Sequence, residues 1–210
     1  MNSDISLPDR MANLPRNKAG YVVPWFVGYV DGTPDFRVIR PDGITDALRF
    51  DLCWLCGQHR GRYGTFVIGP MCAVNRVSAE PPSHQECAEY AAKVCPFLTT
   101  PSMVRRDRHL PDHTQPAGEM IPRNPGVALC WTSRTWAPFR APGGVLVDVG
   151  DPTEVTWWAH GRPATRDEVE NSVNSGLPIL EEMAQKDGAR AVAELARMHG
   201  RARTLFPVAG

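Results

Sequence analysis

The chain has 210 residues, and 23 Lys plus Arg balance 23 Asp plus Glu, so it carries no formal net charge. That balance excludes a global pull toward nucleic acid or an anionic membrane and leaves room only for a local basic patch. With 42% hydrophobic residues an ordinary core can form, enough for one sizeable domain or two small ones.

The first residues, MNSDISLPDRMANLPRNKAG, contain no apolar run of the signal-peptide kind, and no stretch of the chain is apolar over bilayer length. A cytoplasmic protein with no membrane partner is therefore expected. In that compartment the 6 cysteines read as metal ligands and buried thiols rather than disulfides. The 20 prolines and 18 glycines predict short elements and much loop.

In chain order, residues 1–20 read as a polar, proline-spaced N-terminal arm, extended or disordered. Residues 21–210 read as a single α+β domain, with a zinc finger at about 50–98 and a helical C-terminal part at about 165–205. Tyr21 to Val30 is rich in strand formers, Asp31-Gly32 follows, and Phe36 to Ile39 returns, which predicts a β-hairpin with Pro24 at an edge or bulge. Ile44 to Phe50 reads as one or two helical turns. Thr65 to Ile68 is a short strand, broken by Gly69-Pro70, and Met71 to Asn75 is expected to return antiparallel. A helix is expected from Ser83 to Val94, with Ser83 as N-cap and Glu86 completing a capping box. Residues 99–126 read as loop. Val127 to Thr132, Gly144 to Val149 and Glu154 to Ala159 are strand candidates. Thr165 to Glu168 forms a second capping box, opening a helix to about Ser175. Gly176 then stands as a stop and Pro178 as the start of the next helix, which runs to Lys186. A last helix spans Ala189 to His199, between Gly188 and Gly200.

The chemistry concentrates between Cys53 and Leu98. Cys53 and Cys56 form a C-x2-C pair, and His84 and Cys87 form an H-x2-C pair on one face of the expected helix. Four such donors in two close pairs fit a tetrahedral zinc ion, and Gly57 permits the tight bend after the first pair. A ligand turn, a hairpin-like middle and a ligand-bearing helix start describe a treble-clef-like zinc finger with a closed, structural site. Cys72 or Cys95 could instead displace His84, and an all-cysteine set could hold an iron–sulfur cluster, although the spacing matches no common ferredoxin run. Small buried thiols are the favoured reading of both, and of Cys130.

Two further groups are singled out. Asp107, His109, Asp112 and His113 could bind a catalytic metal or supply an acid and a base, giving an alternative reading as a metal-dependent hydrolase of nuclease or phosphatase type. Pro111 interrupts that segment, so an exposed loop is the plainer reading. Arg60, Arg62, Arg76, Arg105 and Arg106, together with Arg108, lie in or just after the finger, beside Trp54 and Tyr63. Arginines among aromatics suit phosphate contacts and base stacking, whereas a solvated charged face is the bland account. Trp157-Trp158 in one strand must face opposite ways. The cations of Arg197 to Arg203 suit a helix C-terminus and need no partner. The order H-x-E…P-C-x-x-C of zinc deaminases is missing. The expected role is thus a zinc-binding module that binds nucleic acid or a protein partner.

The segments VPWFVGYVDGTPDFRVIRP, CWLCG, FVIGPMCAVNR, EPPSHQECAEYAAKVCPFL and GRPATRDEV resemble a family of uncharacterised bacterial and phage (prophage-type) proteins, from about Tyr21 to Leu180. The resemblance implies no assigned activity. The finger is similar to treble-clef modules in general, but Asn75 and His84 do not stand in the order of the histidine–asparagine nucleases.

Overall fold

A computed structural model describes residues 5–101, 103–104 and 124–208. The order of elements mixes helices with antiparallel sheets, as the α+β reading expects. β1 (Val27–Val30) and β2 (Thr33–Ile39) form the expected hairpin around Asp31 and Gly32. Both turn residues have positive φ, 49° and 74°, which is what a two-residue turn between twisted strands requires. α1 spans Gly43–Arg49.

The central sheet has strand order β3-β5-β8-β9, from β3 (Gly64–Ile68), β5 (Ala128–Ser133), β8 (Pro152–Ala159) and β9 (Arg162–Pro163). All its pairs are antiparallel. Period-two alternation divides its side chains cleanly between two faces. Phe66, Ile68, Leu129, Trp131 and Trp157 enter one large cluster, while Val67, Cys130 and Trp158 enter another on the opposite side. The two adjacent tryptophans therefore do face opposite ways, and both are buried, because helices cover the sheet on both sides.

The larger cluster is closed by α2 (Pro70–Asn75), α5 (Arg166–Asp187) and α6 (Ala189–Arg203). The smaller one is closed by α3 (Gln85–Val94), through Ala88 and Ala92. A short helix α4 (Pro96–Thr99) follows α3. β4 (Val77–Ser78), β6 (Ala137–Ala141) and β7 (Gly144–Asp148) make a second sheet in the order β4-β7-β6. Among the described residues no helix is long and apolar enough to cross a membrane.

Three expectations fail here for physical reasons. Met71 to Asn75 is helix, not a returning strand: Gly69 is extended, and Pro70 at the first helical position is pre-set for a helix and has no N–H to waste there. The hairpin-like middle between the ligand pairs is therefore a strand–helix–strand unit. α5 runs unbroken through Gly176 and Pro178. Gly176 is buried against α2, where a Cβ would stand 2.9 Å from Met71 Sδ, so this glycine serves close helix packing rather than termination. Gly200 likewise lies inside α6. The capping box at Thr165 and Glu168 and the stop at Gly188 form as expected.

Candidate metal centre

Cys53 and Cys56 sit on a tight knuckle. Leu52 and His59 pair across it, the Cys53 N–H donates to Gln58 O at 2.8 Å, and the Gly57 N–H donates to Cys53 O at 2.8 Å. Gly57 has φ +74°, and a Cβ there would meet the Trp25 indole at 2.3 Å, so the position demands glycine twice over. The amides of Cys56 and His84 point at Cys53 Sγ, at 3.4 and 3.3 Å. Backbone N–H donors aimed at sulfur stabilise a thiolate.

The second ligand pair arrives by a sheet contact. Thr65 and Ser83 exchange backbone hydrogen bonds of 2.9 and 2.7 Å, which carry the start of α3 to the knuckle. The N-cap is His84, one residue later than expected. No side chain caps this helix, and Glu86 pairs with Arg10 at 2.9 Å instead of closing a capping box. His84 Nδ1 lies 3.4 Å from Cys56 Sγ and 4.0 Å from Cys87 Sγ. Its other nitrogen, Nε2, is 3.1 Å from His59 O, a geometry in which Nε2–H donates and Nδ1 keeps its lone pair for the cysteines. Cys87 lies in the first turn of α3, where the helix dipole favours a thiolate.

The donor atoms of Cys53, Cys56, His84 and Cys87 all lie within 4.8 Å of one another, a geometry suited to a metal ion. Donors at about 2.0–2.3 Å from one tetrahedral ion stand roughly 3.5 Å apart, close to what is seen. Cys53 and Cys87 are fully buried, and no disulfide links the thiols. Their protons are strongly interdependent. Hydrogen bonds from Cys56 and then Cys87 hold the Cys53 thiol far below its ordinary range. The hydrogen bond with Cys53, with burial, pushes Cys56 up to about 11, and hydrogen bonds to Cys53 and Cys56 push Cys87 up further still. Three buried thiols so close cannot all ionise unless a cation relieves their repulsion.

The surroundings correct the expected arm. Asp9–Met11 is a short 3-10 helix, and Met11, at 2% exposure, packs with Val22, Leu55 and the three cysteines, with Leu7 and Leu14 at the edge. Gln58 Nε2 donates to Arg10 O at 3.1 Å. The segment is thus a strap over the candidate metal centre. Leu7, Met11 and Leu14, spaced by four and three, were its visible signal.

The other candidate residues scatter. Arg60 is 7% exposed; it donates to Tyr63 O at 2.8 Å, pairs with Asp51 at 3.4 Å and lies over the Trp136 ring. Its hydrogen bonds hold the knuckle to the following loop, so it is not presented to a phosphate. Trp54 is buried and stacked on Phe26 at 4.9 Å, so it is not available to a base. Arg62 and Tyr63 are exposed, with Arg134 over the Tyr63 ring at 5.2 Å. Arg76 stays near the surface, bonded to Asp151 at 2.6 Å. Arg105, Arg106, Arg108 and the Asp107–His113 segment lie outside the described residues. Cys72, Cys95 and Cys130 do not join the metal group. Burial pushes the Cys72 thiol up to about 11 and that of Cys130 to about 12, as expected of packing thiols.

No family model, curated protein or solved structure matches this chain.

Proposed function

We propose that Cys53, Cys56, His84 and Cys87 hold one zinc ion in a structural role, within a module that works by binding nucleic acid or a protein partner. The observation that carries this reading is the donor set itself: three cysteines and one histidine, with the imidazole tautomer already set by His59 O. Zinc takes this set as a closed tetrahedron, with no position open for a substrate. A knuckle followed by a ligand-bearing helix start is the part of the architecture that supports the treble-clef-like description; the middle departs from it. Hard cations such as magnesium prefer oxygen donors, so the set disfavours them.

Metal analysis of purified protein tests the reading directly. About one zinc per chain is the expected result. Protein without zinc, or a visible absorption band from an iron cluster, would remove it.

A further inference from the structure

We infer that the outer face of α6, joined by Arg76, binds the phosphate backbone of a double-stranded nucleic acid. The inference rests on reading the chain as a binding module, and it moves the contact away from the finger.

Arg190, Arg197 and Arg201 are exposed and recur at i, i+7 and i+11, so they lie along one face of a single helix. At 1.5 Å per residue the stripe is about 16 Å long. Arg76, which caps the C-terminus of α2, reaches it from a neighbouring helix. Its guanidinium bonds Asp151 Oδ1 at 2.6 Å, and Arg201 meets the same oxygen at 3.3 Å. The carboxylates paired with these arginines are Asp151 and Glu194, the latter with Arg197. Four arginines against two carboxylates leave a positive excess, in a chain whose total charge is zero. Arg197, with the charges of Arg190 and Arg201, holds the Glu194 carboxyl below its usual range, which places all three cations around one acid.

The occupant follows from geometry and charge. A duplex strand offers a charge about every 3.4 Å of axis, so a straight stripe of about 16 Å spans several phosphates. Planar guanidinium groups suit phosphate oxygens. The face carries no exposed aromatic ring for an unpaired base to stack on, so a duplex backbone fits better than a single strand.

The test uses the full-length zinc-loaded protein and a fluorescein-labelled mixed-sequence duplex, followed by anisotropy between about 50 and 200 mM salt. Wild type should bind at low salt, equally on two unrelated duplexes. The double variant Arg190→Ala/Arg197→Ala should flatten the salt slope by about two, which makes its loss of affinity over that range about tenfold smaller than wild type's. Glu194→Gln should bind more tightly than wild type, a gain that a merely structural role for the stripe would not produce. Zinc content and melting temperature of each variant separate a failed interface from a failed module. No binding by fully zinc-loaded wild type at 50 mM salt would overturn the inference while leaving the metal reading intact. So would an unchanged slope in the folded double variant, or preferential binding of poly-glutamate, which would point to an acidic protein partner.

Discussion

Replacing Cys87 with alanine should dismantle the region around the metal centre while sparing the central sheet. Cys87, in the first turn of α3, is fully buried against the knuckle. The apolar members of its cluster that are themselves buried are Met11, Val22 and Leu55. At about 1.5–3 kcal/mol each, they contribute less together than the roughly 10–16 kcal/mol of a structural zinc site. Without the ion the strap and knuckle lose their largest stabilising term. The cluster around Trp131 and Trp157 is separate and contains no ligand. Hydrogen exchange should therefore show faster exchange at residues 5–23 and 52–59 in Cys87→Ala, with β5 and β8 still protected. A chelator acting on wild type should give the same pattern. Cys72→Ala, which removes a thiol outside the centre, is the control. If Cys87→Ala keeps wild-type protection over the knuckle, or Cys72→Ala loses as much, the centre is not held by metal. Acid should mimic the chelator. The donors bind a metal only as thiolates and neutral imidazole, so protons compete with the ion and its contribution to stability is lost as pH falls.

Two further outcomes are expected. Gly57→Ala should lower the melting temperature and the zinc content together, because its Cβ would stand 2.3 Å from the Trp25 ring and φ is +74°; the combined strain should cost about 1–3 kcal/mol or more, and an unchanged melting curve would refute the close approach. Glu168→Gln should cost about 1 kcal/mol at neutral pH through the Arg162 pair and the α5 cap. Arg162 and the Thr165 amide lower the Glu168 carboxyl from 4.5 to about 2, so this difference is full above about 4.5 and shrinks as pH falls toward 2; a gap that stays constant from pH 7 to pH 2.5 would argue against it.

What could be read from the chain was local. The two ligand pairs announce themselves because C-x2-C and H-x2-C place donors within one turn of each other. Asp31-Gly32 and the Thr165–Glu168 box are equally self-contained. What could not be read depended on partners remote in sequence. A short apolar run such as Met71 to Val74 suits strand or helix by periodicity, and Pro70 was the signal that should have decided it. α5 survives Gly176 and Pro178 because packing against α2 and α6 outweighs local propensity. Arg60 is an arginine like any other until Trp136, from the connection after β5, covers it. The basic face of α6 was readable as a helix end but not as a surface, since Arg76 and Asp151 join it only in three dimensions.

The position of α3 ties these observations together. Its N-cap and first turn carry two of the four candidate donors, His84 and Cys87, and its Ala88 and Ala92 side rests on Cys130 and Trp158 of the sheet. Lys93 lies over the Trp158 ring at 4.7 Å, and a close approach at Gly161 brings the β8–β9 turn to Lys93 O. The helix is therefore held by the core independently of the ion, and small residues let it sit close to the strands. The sheet thus presents His84 and Cys87 beside the Cys53–Cys56 knuckle, which bonds the N-terminal segment through Gln58 and Arg10. A chain of contacts runs from the sheet through α3 and the four donors to the N-terminal segment. A proline-rich stretch whose own cluster has only a few buried apolar side chains is where a bound metal would add most to stability.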